Sequence, residues 1–285
     1  MKRSDIVLLI FSWYRLFAIL IAAGLSPASG TTPATLTVRP SPAGLVPALY
    51  NTTITFSFAD GRTFVVPVTL SVSASINVTA FANAASFAGA LGAPNTLMTA
   101  FGNFPGCTSS ARVSIDGVPT PVFASSPAQI NFLVPAAVAG KPSAIVQIAC
   151  AGLTSQPVPM QIAVASPGVF TVSQSGSGQA AIVNQDGTLA PPSPRGTVVT
   201  FYGTGFGVLA GASSDGLSRT VFSVTASVGG EAATVTYAGE APGYTSGLQQ
   251  INILIPMDSP VGGSVPLQMT VGGMNTPAGA TLAIQ

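Results

Sequence analysis

The sequence has no histidine and very few charged residues. Of its 285 residues only 6% are charged, nine basic and eight acidic, so the formal net charge is +1. Without histidine, the usual Ser-His and Cys-His nucleophiles cannot form. A net charge this close to zero provides no electrostatic attraction for nucleic acid. The composition therefore argues against the common nucleophilic hydrolases and against nucleic-acid partners.

The acidic residues form no recognisable catalytic or metal-binding pattern. A glycosidase pair would require two distant loops to converge, and residues 184–187 offer a calcium ion only one carboxylate. The glycine-rich residues 203–207 are not followed by a helical pattern, so a phosphate loop lacks its context. Four acidic residues directly precede glycine, where aspartate usually shapes a turn: Asp60, Asp116, Asp186 and Asp215. We expect no catalytic residue, no metal site and no cofactor.

Long apolar runs occur only near the N-terminus. Lys2 and Arg3 precede the apolar residues 6–11, and a second apolar run follows at residues 16–25. Small residues that suit a signal peptidase come next, so we expect residues 1–28 to be a secretory signal peptide. Two alternatives stay open. The segment could be a signal anchor of about 20 residues that stays in the membrane, or Met1 could be a wrongly assigned start.

The rest of the chain contains an internal repeat. Residues 129–135, Gln-Ile-Asn-Phe-Leu-Val-Pro, return at residues 250–256 as Gln-Ile-Asn-Ile-Leu-Ile-Pro, an offset of 121 positions. Upstream, Thr-Ala-Phe-Gly at residues 99–102 matches Thr-Phe-Tyr-Gly at residues 200–203, an offset of 101 positions. Matched motifs in the same order indicate two copies of one structural unit.

After about residue 30, the local sequence patterns are those of β-strands. Residues 53–58 and 66–72 alternate in polarity and are rich in β-branched and aromatic side chains. The Asp-Gly pairs at residues 60–61 and 116–117 predict two-residue hairpins with type I′ turns. Twenty-four prolines leave little room for long helices. Short strands in units of roughly 100 residues favour immunoglobulin-like sandwiches. We therefore predict an all-β protein built from tandem immunoglobulin-like β-sandwiches.

These patterns also suggest domain boundaries. We expect a partial immunoglobulin-like β segment at residues 29–79, a first sandwich at residues 80–172 and a second at residues 173–285. The serine- and glycine-rich residues 173–179 are predicted to be a flexible junction. Because the offset grows along the chain, extra loop residues of the second copy are expected at two places, residues 209–219 and 241–247.

Several separated motifs resemble a known family. They are, in chain order, Asn-Ala-Ala-Ser-Phe at 83–87, Asp116-Gly117, Ser-Pro-Ala-Gln-Ile-Asn at 126–131 with Pro135, Ser-Pro-Gly-Val-Phe at 166–170, Gly-Gln-Ala-Ala at 178–181, Asn-Gln-Asp-Gly at 184–187 and Gly-Thr-Gly at 203–205. Residues 80–285 thereby resemble the Solibacter C-terminal domain family of secreted acidobacterial proteins. The resemblance implies sandwiches of the IPT/TIG type in an exported polypeptide, and it implies no activity. Residues 25–72 resemble the second half of a BACON-type immunoglobulin-like domain.

The two cysteines are the clearest chemical signal. Cys150 ends a strand and is equivalent to Val271 of the second copy, which places it on the apolar face. In an exported chain, an even count of two favours a disulfide between Cys107 and Cys150. Such a bond could add about 4 kcal/mol in the chain-entropy model. The alternative is a buried free thiol with a surface thiol, and two cysteines alone fall short of a zinc site.

The sequence thus favours a non-catalytic, adhesion-type structural or interaction module that is secreted or at the cell surface. We expect its partners to be other surface proteins or extracellular polysaccharide. A membrane would be contacted only through the N-terminal segment, if that segment is not cleaved.

A carbohydrate-binding module is the first alternative, and a polymer-degrading hydrolase is a weaker one. Sugar sites generally need exposed aromatic side chains, and the single tryptophan, Trp13, lies in the leader-like segment. Tyr244, in the expected extra loop, is therefore the candidate ligand contact. A tyrosine in such a loop also commonly serves as an anchor packed on its own strand.

Overall fold

The computed structural model describes residues 5–8, 24–26, 29–31, 35–41, 44–89, 91–189 and 192–285. Within these ranges the chain is 53% strand and has no α-helix, so the predicted all-β class is confirmed. Most of the predicted leader at residues 1–28, and Trp13 with it, lies outside the described residues, and the leader stays a prediction. No helix of the described residues has the length and apolar character that a membrane crossing requires. The chain divides into two compact units, Met1–Ala74 and Ser75–Gln285.

The first unit is dominated by one long hairpin. Its strands are β1 (Asp5–Leu8), β2 (Gly24–Ser26), β3 (Ser29–Thr31), β4 (Thr37–Arg39), β5 (Ala48–Phe58) and β6 (Thr63–Val72). β5 and β6 pair antiparallel from Ala48–Val72 to Ser57–Thr63, in a sheet of order β3-β1-β5-β6, and β2 pairs with β4. The alternation of polarity places apolar side chains on one face of the hairpin, and Tyr50 and Ile54 of that face are buried.

The β5–β6 turn differs from the predicted type I′ turn. Its loop has three residues, because the N–H of Phe58 donates to the carbonyl of Arg62 and the N–H of Gly61 donates to the carbonyl of Phe58. Only Gly61 has a positive φ, +81°. A type I′ turn needs positive φ at both central residues, so the two-residue prediction was wrong at this site.

The second unit contains both copies of the repeat. The strands of the first copy are β7 (Asn77–Asn83), β8 (Thr96–Asn103), β9 (Arg112–Ile115), β10 (Val118–Thr120), β11 (Val122–Ser125), β12 (Gln129–Val134), β13 (Ser143–Cys150), β14 (Leu153–Thr154) and β15 (Val158–Gln161), with one turn of 3-10 helix at Ala136–Val138. They form two sheets, one of order β11-β12-β8-β7 and one in which β13 pairs with β9, β14 and β15 while β10 pairs with β9. The alternating strands direct one side of each sheet into a shared apolar core.

The second copy repeats this arrangement with one difference. Its strands are β16 (Gly168–Val169), β17 (Gly178–Gln179), β18 (Ile182–Asn184), β19 (Val198–Thr204), β20 (Val224–Val228), β21 (Glu231–Glu240), β22 (Gln249–Leu254), β23 (Gly262–Val271), β24 (Met274–Asn275) and β25 (Ala280–Ile284). β21 runs unbroken from one sheet to the other and pairs with both β20 and β22. In the first copy Pro121 separates β10 from β11 at the equivalent place, because proline has no N–H for the ladder.

The core of the second copy begins earlier in the chain than we predicted. Ala165 and Val169 lie in its apolar core, and Val169 pairs with Gly203 of β19. Residues 165–172 therefore belong to the second sandwich, and the predicted boundary at 172/173 is corrected. We call residues 75–164 repeat 1 and residues 165–285 repeat 2.

The predicted flexible junction at residues 173–179 is instead a bonded part of repeat 2. The Ser173 hydroxyl donates to the carbonyl of Ser177, at 2.8 Å. The N–H of Gly178 donates to the carbonyl of Gly279, also at 2.8 Å, and β17 pairs with β25. The composition of this segment suggested a linker, but its serine hydroxyls and glycines serve a compact turn.

Candidate functional site

The two repeats meet at a junction whose polar side chains are buried. The buried residues are Asn83, Asn95, Thr204 and Gln249, with exposed fractions of 1%, 6%, 0% and 0%. Nδ2 of Asn83 donates to the carbonyl of Ser166 at 2.7 Å, and Nδ2 of Asn95 donates to the carbonyl of Gly207 at 3.2 Å. The junction is therefore closed by hydrogen bonds from side chains that water does not reach.

Thr204 lies at the centre of these contacts. Its hydroxyl oxygen accepts from the N–H of Leu97 in repeat 1 at 2.7 Å, and the hydroxyl donates to the carbonyl of Gly247 at 2.6 Å. Gln249 is adjacent: its Oε1 accepts from the N–H of Phe206 at 2.8 Å, and its Nε2 donates to the carbonyl of Asn95 at 3.4 Å. Each of these two side chains joins two or more backbone segments.

Tyr244, the predicted ligand contact, lies in the loop between β21 and β22. Its side chain is 66% exposed. The base of the loop is fixed, since the N–H of Ala241 donates to the carbonyl of Leu248 at 3.0 Å. Gly247, three residues after Tyr244, lies against Leu97 and Leu133 of repeat 1. The loop therefore takes part in the junction while its tyrosine side chain remains accessible.

A set of four side chains on the outer face of repeat 1 was not predicted as a site. It comprises Thr99 and Phe101 of β8 and Gln129 and Asn131 of β12, and we call it the repeat 1 amide–aromatic cluster. Phe101 is the register partner of Gln129, and Thr99 is the partner of Asn131. Oδ1 of Asn131 accepts from the Thr99 hydroxyl at 3.0 Å and from Nε2 of Gln129 at 2.9 Å. Phe101, Gln129 and Asn131 are half-buried, whereas Thr99 is buried.

Repeat 2 carries the same set in the same register. It comprises Thr200 and Tyr202 of β19 and Gln250 and Asn252 of β22, the repeat 2 amide–aromatic cluster. Tyr202 is the partner of Gln250, and Thr200 is the partner of Asn252. Oδ1 of Asn252 accepts from the Thr200 hydroxyl and from Nε2 of Gln250, both at 2.9 Å. All four side chains are half-buried.

The sequence held a signal for these clusters. The Gln-Ile-Asn motif and the Thr-x-aromatic-Gly motif both recur, and alternation along a strand places their polar members on one face. From the sequence alone, the motifs indicate only the repeat. The motifs meet because β8 pairs with β12, although the paired residues are about 30 positions apart in the chain.

The other sheet of repeat 1 carries an open groove of about 390 Å³. Its lining includes Arg112, Ser114, Pro119, Gln147, Ala149 and Thr154. Arg112 is exposed, and Ser114 faces Gln147 across the β9–β13 pair. The groove has mixed polarity and contains one cationic side chain.

The acidic residues that precede glycine serve their turns. A hydrogen bond from the Arg219 guanidinium, with a second bond from the Leu217 N–H, lowers the pKa of Asp215 to about 2. The N–H of Ile145 and then Lys141 lower the pKa of Asp116. Backbone N–H groups also lower the pKa of the two remaining turn carboxylates, Asp60 and Asp186.

The described part of the chain contains no group of three or more cysteine, aspartate or glutamate side chains placed to hold a metal ion. Cys107 and Cys150 are joined by a disulfide with a Cα–Cα distance of 5.4 Å, within the usual range. It is the pairing that the sequence predicts, and it links the loop after β8 to the end of β13 in the other sheet.

No protein-family model matches the chain, and no curated protein matches it significantly. The solved structures that are similar to it include the three that follow. SGBP-B from a complex xyloglucan utilization locus in Bacteroides uniformis is 14% identical, with 74% of this chain and 50% of that chain covered and a TM-score of 0.26. The surface glycan-binding protein PbSGBP-B from Prevotella bryantii is 10% identical, with 73% and 42% covered and a TM-score of 0.25.

The third is the surface layer protein SbsC, domains 4–9, which is 13% identical, with 88% of this chain and 36% of that chain covered and a TM-score of 0.25. The chain thus spans half or less of the length of these structures.

Proposed function

We propose that this chain is a non-catalytic structural and interaction module located outside the cytoplasm. In this role the two sandwiches act as one stiff body that spaces and presents its loops and sheet faces. The buried polar junction between the repeats carries the proposal. The disulfide supports the location, because disulfides persist in oxidising compartments.

The junction favours a single arrangement of the two repeats. Bending at this point would separate Thr204 from Leu97 and Asn95 from Gly207. Each buried polar group left without a partner costs about 1–3 kcal/mol. Two sandwiches joined only by a linker would move independently, whereas these two need to break several buried hydrogen bonds to do so.

The proposed family follows the resemblance given by the sequence motifs. We propose membership of the Solibacter C-terminal domain family for residues 80–285 and a BACON-like origin for the β5–β6 hairpin. The absence of catalysis is part of the same proposal. It is supported by the turn roles of Asp60, Asp116, Asp186 and Asp215.

The stiffness can be tested with two spin labels. Val118 of repeat 1 is 59% exposed and Val261 of repeat 2 is 60% exposed, so cysteines at both positions can be labelled. We expect double electron–electron resonance to give one narrow distribution of distances between the two spin labels. Thr204→Val should broaden the distribution, because valine keeps the shape of threonine but cannot bond Leu97 or Gly247.

The matched control is Thr225→Val, which makes the same change at an exposed position on β20. The control should leave the distribution narrow. A broad or multiple distribution in the protein with an intact junction would contradict the stiff module.

A further inference from the structure

Each amide–aromatic cluster contains side chains that the pairing of its two strands does not require. The bond from Thr99 to Asn131 joins β8 to β12 and could fix their register. The bond from Gln129 to Asn131 lies within a single strand and joins no strands. The ring of Phe101 takes part in neither bond. Strand pairing therefore does not account for the glutamine or for the ring, which packs against the ring of Phe87 with 6.3 Å between the centroids. Both residue types recur in repeat 2, as Gln250 and Tyr202.

The bonds within each cluster hold the amides in one orientation. Both bonds use Oδ1 of the asparagine, so its Nδ2 amide carries two N–H donors that they leave unused. Oε1 of the glutamine is likewise an acceptor that neither bond uses. In repeat 2, the two bonds likewise do not use Nδ2 of Asn252 or Oε1 of Gln250. Orientation in advance of binding lowers the entropy that a ligand must overcome.

We infer that each cluster is a binding site for a neutral sugar unit of a polysaccharide. A pyranose ring has an apolar face of C–H groups, which suits the partly exposed side chain of Phe101 or Tyr202. Its hydroxyls both donate and accept, which suits an amide N–H beside an amide oxygen. Few polar groups placed around an aromatic surface are typical of small-molecule sites.

The clusters contain no charged side chain, which defines the class of sugar. A uronic acid or sulfated sugar would lose hydration on binding without meeting an opposite charge, and this is costly. The cationic Arg112 lies in the groove on the other sheet of repeat 1. The geometry therefore favours a neutral chain such as a glucan, mannan or xylan backbone.

Two sites in one compact unit would act together on a long polymer. Once one cluster holds the chain, the second binds at a raised effective concentration, so the polymer binds more tightly than a short oligosaccharide. This inference goes beyond the proposed structural role and does not rest on it, because a flexible pair of repeats could also bind sugar.

The test is affinity electrophoresis of the full chain in gels that contain xyloglucan, glucomannan, laminarin or arabinoxylan, with polygalacturonate as the acidic comparison. We expect retardation by at least one of the four neutral polymers and none by polygalacturonate. Phe101→Ala and Tyr202→Ala should each weaken binding roughly tenfold, and the double variant should weaken it further. Exchange of the two ring types, Phe101→Tyr with Tyr202→Phe, should preserve binding.

The controls are Tyr244→Ala, in the exposed loop, and Arg112→Ala, in the groove, and both should bind as the unaltered protein does. The inference is overturned if none of the four neutral polymers retards the chain, if polygalacturonate alone does so, or if binding survives in the Phe101→Ala, Tyr202→Ala double variant. Loss of binding in Tyr244→Ala with normal binding in the ring variants would likewise overturn it, and would place the sugar site on the loop.

A second measurement needs no substitution in a cluster. In nuclear magnetic resonance spectra of the unaltered chain, oligosaccharides from the polymer that binds should shift the side-chain amide signals of Gln129, Asn131, Gln250 and Asn252. Shifts confined to other residues would contradict the assignment of the site. The spin-label distances report on the junction alone, so failure of the sugar sites and failure of the stiff module can be told apart.

Discussion

At Gly247 the backbone of repeat 2 lies against two leucine side chains of repeat 1. A Cβ atom at this position would stand 2.6 Å from Cδ1 of Leu133 and 2.7 Å from Cδ2 of Leu97. Both distances are shorter than a normal contact between carbon atoms. Glycine is needed here for space, and the loop that carries Tyr244 is held on repeat 1 through it.

We therefore expect Gly247→Ala to lower the free energy of unfolding by about 1–3 kcal/mol, because the leucines must leave their rotamers or the loop must lift. Urea denaturation followed by circular dichroism measures the change. Gly211→Ala is the matched control, since a Cβ atom there meets nothing within 4 Å and φ is not positive. Equal stability of the two variants would show that the junction tolerates the methyl group.

Single residues also show what the sequence could and could not indicate about the site. Alternation along β12 is enough to predict that Gln129 and Asn131 share an outer face. It cannot predict that Oδ1 of Asn131 accepts from Thr99, because that bond depends on a register between strands distant in the chain. Tyr244 was predicted from its residue type and its loop, and the structure leaves its role as a contact a prediction.

Among the elements, β13 and the loop after β8 are joined by the disulfide. Both sulfur-bearing side chains are buried, with exposed fractions of 0% for Cys107 and 5% for Cys150. The bond closes a loop with a sequence separation of 43. Repeat 2 has Val271 at the position equivalent to Cys150 and builds the same fold with no disulfide in its described residues.

We expect the double variant Cys107→Ala, Cys150→Val to lose about 2–5 kcal/mol of stability, because its unfolded chain is less constrained. Urea unfolding with and without a thiol reductant provides the measurement. The reductant should destabilise the unaltered protein by a similar amount and should leave the double variant unchanged. An unaltered protein whose stability is indifferent to reduction would refute a stabilising role for the bond.

The hairpins show why element type is easier to predict than turn geometry. At Asp116-Gly117 both residues have positive φ, +49° and +81°, as a type I′ turn requires. The same dipeptide at Asp60-Gly61 lies in a three-residue loop instead. In the first case the carboxylate of Asp116 accepts from the backbone N–H of Ile145 in β13 and from Nζ of Lys141, both at 2.7 Å. Those tertiary partners are absent from the local sequence pattern on which the prediction was based.

At the scale of the whole molecule, the internal repeat predicts two sandwiches, and the two separate apolar cores agree with it. The extra loop residues of repeat 2 also fall where the offset grows, in the connections at residues 205–223 and 241–248. The boundary between repeats was missed because Ala165 and Val169 pack in the second core although their neighbours have a linker-like composition. Composition reports solubility and flexibility, whereas core membership depends on pairing with β19.

The pH dependence of stability follows from the same scarcity of ionisable groups. With no histidine, no side chain has an ordinary pKa between about 5 and 8, so stability should be constant over that range. Below about pH 5, protonation of the turn aspartates determines how stability changes with pH. A carboxyl group whose pKa is lower in the folded state stabilises the fold fully above its unfolded pKa, and this contribution is lost as the pH falls through the folded value. For Asp215 the folded value is about 2, so its contribution should decline between about pH 4 and pH 2.

Thermal unfolding measured from pH 8 to pH 2 should therefore give a flat profile that falls only below about pH 4. Asp215→Asn should reduce the acid decline while leaving the flat region flat, because asparagine does not titrate. Asp258→Asn, at an exposed position, is the control and should leave the Asp215-dependent part of the decline intact. A transition centred near pH 6 or 7 would contradict this account, since the chain contains no side chain of the kind that titrates there by default.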